Sequence, residues 1–194
     1  MRGDALVPLG AGGKIVEADE TYFGTKDVVT KRTIRGKPAH GSKRSVVALV
    51  ERGGEVRTFH VENADKATVN QIVDANISHE ARLHTDESRL YGDAEAKVAA
   101  HETVLHSRGE YVRGPKGPDR IHTNTVEGVF SIFKRGMKGV YHHCGEKHLH
   151  RYLAEFDFRY NARVALGVND AARAGEALRG VVGKRLTYRT TDRE

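Results

Sequence analysis

Three acidic residues lie far apart in the chain, at positions where a folded sheet could bring them together. Asp19 lies in "KIVEADETYFG", Asp86 follows "ARLHT", and Glu127 lies in "HTNTVEGVFSIFKRGMKG". Carboxylates that converge repel one another and shift one another's pKa unless cations offset their charge. Mg²⁺ and Mn²⁺ favour such oxygen ligands, and two such ions about 4 Å apart can activate a nucleophile and stabilise a leaving oxygen at phosphorus. The three acids therefore predict a two-metal site for phosphoryl transfer.

Each acid also has a simpler structural interpretation. Asn124 and Glu127 have the spacing of a capping box, which satisfies backbone N–H groups at a helix start. Asp86 or Ser88 could cap a following helix. An acid inside the apolar pattern around Asp19 is costly to bury, which favours a function there. Lys134 lies two turns after Glu127 on the same helix face, where its ammonium could hold a phosphate beside the metal site.

The elements that must position these acids follow from the spacing of apolar residues. Alternation predicts a strand at "KIVEADETYFG" and a hairpin formed by "SVVALVE" and "VRTFHVE". A helix at "NADKATVNQIVDANI", a strand at "ARLHTDES", a helix at "RLYGDAEAKVAAH" and a strand at "ETVLHS" follow, and helices are predicted over 125–137, 146–163 and about 170–180. This order predicts an α/β fold with a mixed five-stranded sheet, a three-strand antiparallel meander plus two strands, flanked by helices. Glu20 and Glu87 are expected to point away from the site into solvent.

Basic residues are concentrated in two loops that are expected to border the site. The formal net charge of +6 is compatible with a polyanionic partner. Charge alone hardly distinguishes such a partner from a protein that merely has a basic surface. Lys and Arg in these loops predict salt-sensitive contacts to DNA phosphates, the alternative being solvated loops. The predicted DNA-binding residues are Lys31, Arg32, Arg35, Lys37, Lys43, Arg44, Arg113, Lys116, Arg120 and Arg135.

Other classes of protein find less support. The 194 residues suit one domain, and no apolar run reaches the roughly 18 to 20 residues of a membrane span. The N-terminus has no apolar stretch typical of a signal peptide, so a cytoplasmic location is expected. Cys144 is the single cysteine, and the His-rich segment "HHCGEKHLH" does not match a standard zinc-ligand spacing.

Five blocks of the sequence resemble successive blocks of one branch of bacterial insertion-sequence transposases. They are "VEADETYFG", "HTDESRLYG", "HSRGEYV", "HTNTVEGVFSIFKRGMKGVYHH" and "KHLHRYLAEFDFRYNAR". The resemblance implies the ribonuclease-H-like fold that these transposases share with retroviral integrases and other DDE recombinases. It covers residues 14–163, which are expected to form the catalytic domain, and leaves 164–194 as a C-terminal helical extension with a basic tail.

The resemblance also assigns roles to residues. Asp19 and Asp86 correspond to the two metal-binding aspartates of the pattern. The third position is Asn or Glu followed by Lys, and this chain has Asn124, Glu127 and Lys134. We expect Glu127 to be the direct ligand because a carboxylate binds Mg²⁺ more strongly than an amide, with Asn124 ligating the ion or orienting a water.

The implied activity is Mg²⁺- or Mn²⁺-dependent cleavage and strand transfer on DNA, by a homo-oligomer bound to the element ends and to target DNA in the bacterial nucleoid. Relatives usually carry an N-terminal DNA-binding segment, whereas only 13 residues precede the first predicted strand here. The chain is therefore expected to be a catalytic domain alone, either a fragment or a degenerate copy. A catalytically silent DNA-binding remnant and a ribonuclease-H-like nuclease are the alternatives.

Overall fold

Five strands form one mixed sheet in the computed structural model, which describes residues 7–26 and 43–183. Their order across the sheet is β3-β2-β1-β4-β5. The neighbours β1–β2 and β2–β3 are antiparallel, while β1–β4 and β4–β5 are parallel. The predicted mixed sheet, with its antiparallel meander and two added strands, is therefore confirmed, and its topology is that of the ribonuclease-H-like fold. The strands are β1 (Ile15–Phe23), β2 (Arg44–Glu51), β3 (Val56–Val61), β4 (Arg82–Asp86) and β5 (Ala100–Val104).

Helices cover both faces of this sheet. On one face α1 packs its buried Val69 and Val73 against β1 and β4, while on the other face α2 and α3 pack against β2 and β3. Two separate apolar clusters result, one on each side of the sheet, as expected for a sheet buried on both faces. The helices are α1 (Lys66–Asn76), α2 (Asn124–Gly136), α3 (Leu149–Asn161) and α4 (Asp170–Arg179), and a small antiparallel pair, β6 (Val112–Arg113) and β7 (Ile121–His122), precedes α2.

The central strand β1 presents different chemistry to its two faces. Val16 and Ala18 belong to the cluster that packs against α1. Asp19 is paired with Ala48 of β2, and Ala48 belongs to the cluster that packs against α2 and α3. Because directly paired residues on neighbouring strands share a face, Glu17 and Asp19 point toward the side of the sheet on which α2 lies.

The helix predicted at "RLYGDAEAKVAAH" is wrong. Two short 3₁₀ turns, Arg89–Tyr91 and Ala94–Ala96, occupy this segment instead. Gly92 follows the first turn and weakens any longer helix. The fully buried Tyr91 also donates its hydroxyl to Glu20, 3.2 Å away, so tertiary contacts decide the local conformation.

The expectation that Glu20 points into solvent is wrong, because its carboxylate accepts the hydrogen bond from Tyr91. Its carboxylate is partly buried and also lies 3.4 Å from the Ser88 hydroxyl, which donates to it. Glu87 is exposed as expected, and it accepts hydrogen bonds from the Ser107 backbone N–H and hydroxyl.

Among the described residues, no helix combines the length and apolar character needed to cross a membrane.

Candidate active site

Asp19 and Asp86 lie on adjacent parallel strands with a shared register. The last paired residues of β1 and β4 are Glu17 and His84, an offset of 84 − 17 = 67 residues. Asp19 and Asp86 are separated by the same offset, 86 − 19 = 67. Continued two residues beyond the last pair, the register aligns the two aspartates at the same level of the sheet and on the same face. Both therefore point to the side on which α2 lies.

The electrostatic environment links Asp19 to its acidic neighbours. Burial, followed by the negative charges of Glu20, Asp86 and Glu127, raises the pKa of Asp19 to about 7, against a backbone N–H of Glu20 that donates to its carboxylate. Burial and the charge of Asp86 also raise the pKa of Glu20. The carboxylates therefore form an acidic cluster whose negative charge the surrounding side chains do not fully offset.

Asp86 has a local structural role as well. One of its carboxylate oxygens accepts the Ser88 backbone N–H at 2.9 Å. The cap of the 3₁₀ turn that follows is Ser88, whose hydroxyl accepts from the Leu90 N–H. Asp86 therefore does not cap this turn, and the capping interpretation of Asp86 is wrong. Its hydrogen bond with the Ser88 N–H orients the carboxylate at the end of β4.

Glu127 reaches the site from the first turn of α2. The capping box proposed for Asn124 and Glu127 does not form, because the N-cap is Thr123 and its side chain caps no backbone N–H. The Thr123 hydroxyl instead donates to the Glu127 carboxylate at 2.9 Å. Asn124 and Glu127 are both exposed, whereas Val126 is fully buried.

The remainder of α2 separates an apolar stripe from a polar face. Phe130, Phe133 and the following Met137 are buried in the cluster beneath the helix. Lys134 is half-buried and Arg135 exposed in its last turn. Positive charge at this end is favourable for the helix dipole, so these cations also have a structural explanation.

Glu17, which the sequence pattern did not single out, fixes α2 to the sheet. Its carboxylate is fully buried and accepts the backbone N–H groups of Thr125 at 2.7 Å and Val126 at 3.1 Å, together with the Thr125 hydroxyl at 2.8 Å. An acid at a helix N-terminus satisfies otherwise unpaired N–H groups and complements the helix dipole. Glu17 thus sets where the first turn of α2, and with it Glu127, lies relative to Asp19.

Arg52 completes this buried network. It pairs with Glu17 at 2.7 Å and donates to the carbonyl oxygens of Pro118 and Arg120, each at 2.8 Å. The arginine therefore joins the end of the basic loop to the sheet beside α2.

Two histidines contact the same guanidinium. Arg52 Nη2 lies 3.2 Å from Nδ1 of His84 and 3.3 Å from Nδ1 of His122. Arginine can only donate, so both Nδ1 atoms accept and both rings are neutral. Burial, followed by the Arg52 charge, lowers the pKa of His84 to about 4 and the same two causes lower that of His122. The 3.2 Å approach of His122 Nδ1 to Glu17 is therefore not an ion pair.

The donor set suits a hard divalent cation, although the side chains are not arranged around one. Asp19, Asp86 and Glu127 offer only oxygen ligands, which Mg²⁺ and Mn²⁺ prefer. The pKa of Asp19 is raised by burial and then by neighbouring negative charges, which a cation would offset. Within residues 7–26 and 43–183, no group of three His, Cys, Asp or Glu side chains lies close enough to hold a metal ion. The residues thus fit such an ion by chemistry, charge and register.

The predicted DNA-binding residues fall into different environments. Lys31, Arg32, Arg35 and Lys37 lie outside the described residues. Lys43, Lys116 and Arg135 are exposed, and Arg120 is half-buried. Arg113 is exposed but paired with Glu102 at 2.6 Å.

Arg44 does not suit a DNA-binding role. It begins β2, where its side chain is only 5% exposed and donates to the Cys144 carbonyl oxygen. The residue was assigned to a basic loop because the sequence did not show that β2 starts there, opposite Phe23 of β1.

The model of the ISXO2-like transposase domain family matches residues 10–161, and the chain therefore belongs to this family. No curated protein matches the chain. Among solved structures, it is similar to the crystal structure of a pre-cleavage Mos1 transpososome, at 13% identity and a TM-score of 0.30. That match covers 80% of this chain and 56% of the other, so this chain spans little more than half of that protein's length.

Proposed function

We propose that this chain carries the catalytic domain of a DNA transposase that cleaves DNA at the ends of an insertion sequence and joins the freed strand to target DNA. The observation that carries the proposal is the common 67-residue offset that aligns Asp19 with Asp86 on β1 and β4. Membership of the transposase family supports it. Residues 14–163 would form the catalytic domain and 164–194 an accessory C-terminal extension.

Asp19, Asp86 and Glu127 would hold one or two Mg²⁺ or Mn²⁺ ions, with Asn124 at the third position as a further ligand or water-orienting group. Ions bound there would supply activation of the attacking hydroxyl and stabilisation of the leaving oxygen at phosphorus. The placement of Asn124 and Glu127 in one turn of α2 supports this assignment, since the buried Glu17 fixes that turn against the sheet.

The remaining residues bind and orient DNA. Lys134, on the helix that carries Glu127, would hold a phosphate next to the scissile one. Lys43, Lys116, Arg120 and Arg135 would contact the backbone without reading its sequence, as would the loop residues outside the described part of the chain. A homo-oligomer that holds two DNA ends at once is part of the same proposal.

A silent DNA-binding remnant is the second candidate. It is favoured by one observation, that the described residues hold no group of three potential ligands at metal-binding distance. Such a protein would bind DNA through its basic surface with no metal-dependent chemistry.

Nicking of supercoiled plasmid DNA in Mg²⁺ or Mn²⁺ tests the proposal. The wild-type chain is expected to nick, while Asp19→Asn is expected to lose nicking and retain non-specific DNA binding in a gel-shift assay. Asp74→Asn on α1 is the matched control, because this exposed aspartate pairs with Lys97 on the opposite side of the sheet.

Retained metal-dependent nicking by Asp19→Asn would overturn the assignment of the site. A wild-type chain that binds DNA without nicking it would establish the remnant. Incubation with pre-cut DNA ends then separates a transposase, which joins strands, from a nuclease, which only hydrolyses them.

A further inference from the structure

Two tyrosines border the acidic cluster with their rings open to solvent. Among the described residues, the only largely exposed Phe or Tyr residues are Tyr22, which is 46% exposed, and Tyr111, which is 59% exposed. The charges of Glu20 and Asp19 help to raise the pKa of Tyr22, which places it beside those acids. Tyr111 lies near Glu127 through His106, as described next. Among the described residues, largely exposed Phe or Tyr rings are thus found only near the acidic cluster and Glu127.

His106 connects Tyr111 to the third carboxylate. The two rings pack with centroids 5.1 Å apart and planes inclined by 38°. Nε2 of His106 lies 3.7 Å from the nearer Glu127 oxygen, too far for a hydrogen bond. This nitrogen is buried and has no hydrogen-bond partner within the described part of the chain. His106 therefore lies between the Tyr111 ring and the Glu127 carboxylate, which places Tyr111 near the third acid.

The segment that carries both residues is basic and held in place. It follows β5 as the 3₁₀ turn His106–Arg108 and continues through Tyr111 to the exposed Lys116. Arg52 binds the carbonyl oxygens of Pro118 and Arg120 at the far end of the loop, joining it to the sheet. A basic surface held in this way attracts a polyanion, and less entropy is lost when it binds.

We propose that Tyr111 stacks on an unpaired nucleobase next to the phosphodiester at the acidic cluster, with the His106 ring packed against the tyrosine. This rests on the proposed function and adds a requirement to it, namely that the DNA end is opened where it meets Tyr111. A base within a duplex has both faces covered by its neighbours, so only a splayed base offers a face to the ring. Tyr111 and His106 are positioning residues in this scheme.

Binding of two fluorescent DNA duplexes tests this, measured with chelator so that no cleavage occurs. One duplex is fully paired and the other has two unpaired bases at one end, with 2-aminopurine at the terminal position of both. The variants are Tyr111→Leu, which removes the ring, and Tyr111→Phe, which retains it. Because Tyr111 is mostly exposed, both variants are expected to keep the wild-type melting temperature.

Tyr111→Leu is expected to weaken binding of the open-ended duplex at least fivefold, the low end of the loss of one stacked base, with little effect on the paired duplex. Wild type and Tyr111→Phe should quench 2-aminopurine in the open-ended duplex, and Tyr111→Leu should not.

Equal affinities and equal quenching for Tyr111→Leu and wild type would overturn this inference while leaving the proposed function intact. A wild-type chain that binds neither duplex would overturn the proposed function together with it.

Discussion

The carboxylate of Glu17 and the guanidinium of Arg52 form an ion pair at 2.7 Å inside the protein, with the Glu17 side chain fully shielded from solvent. Glu17 lies two residues before Asp19 on the same face of β1, and it also accepts the first N–H groups of α2. The position of Glu127 relative to the two aspartates therefore depends on a pair of charges that take no part in the proposed chemistry.

Glu17→Gln is expected to destabilise the fold by about 3 kcal/mol, because removing one charge of a buried pair leaves the other uncompensated. Denaturant unfolding followed by circular dichroism measures the loss. Asp119→Asn is the control, since the Arg82–Asp119 pair is largely exposed and such pairs contribute about 1 kcal/mol or less. Equal losses in both variants would contradict the central role of the buried pair.

The stability of the metal-free chain is expected to depend on Asp19 between its ordinary pKa of 3.8 and its raised pKa of about 7. In this range the folded state binds more protons than the unfolded state, so this group makes stability fall as pH rises. Asp19→Asn should therefore flatten the decline in melting temperature between pH 5 and pH 8 in chelator, whereas Asp74→Asn should retain the wild-type slope. Identical slopes for all three proteins would disprove the predicted shift.

Divalent ions are expected to stabilise the wild-type chain. An ion at ten times its dissociation constant adds about 1.4 kcal/mol if it binds only the folded state. Titration of Mn²⁺ at pH 7.5 should raise the melting temperature of wild type and much less that of Asp86→Asn. A thermal shift of the same size in the variant would place the ion elsewhere on the protein.

The third position of the site can be assigned by comparing Glu127→Gln with Asn124→Ala. We expect Glu127→Gln to abolish plasmid nicking because it removes a charged ligand. Asn124→Ala should reduce nicking about 10- to 100-fold, the usual effect of losing a group that orients a ligand or water. The reverse ranking would make Asn124 the direct ligand.

The salt dependence of DNA binding should distinguish two basic residues in the same loop. Lys116 is exposed, and its replacement by Ala should reduce the slope of log affinity against log salt by about 0.9, the value for one lost phosphate contact. Arg113 already pairs with Glu102, so Arg113→Ala should change the slope less. Filter-binding measurements at four salt concentrations suffice, and a larger change for Arg113 would show that it exchanges Glu102 for phosphate.

Local pattern sufficed to predict most of the sheet, since the apolar alternation in β1 and the Gly-Gly turn before β3 both match the structure. Prediction from local pattern failed where contacts between residues distant in the sequence decide the local conformation. Tyr91 is buried in the core, where the predicted helix does not form, and its hydroxyl binds the partly buried Glu20.

The site shows the same division. The types and order of Asp19, Asp86 and Glu127 follow from the sequence, and so does their placement within β1, at the end of β4 and in the first turn of α2. The role of Glu17 does not, because its partners Arg52 and Thr125 lie 35 and 108 residues further along the chain. No local period encodes contacts at such separations.

The matched register of β1 and β4 also restricts which length changes the domain can undergo. Neighbouring residues of a strand point to opposite faces. A single-residue deletion within β4 ahead of Asp86 would therefore turn that acid toward the face on which α1 lies, although the aspartate itself is retained. The same deletion in the turn between Arg52 and Glu55 leaves both aspartates where they are. Insertions and deletions tolerated during divergence should therefore occur in the connections, and an odd-numbered one inside either strand should mark an inactivated copy.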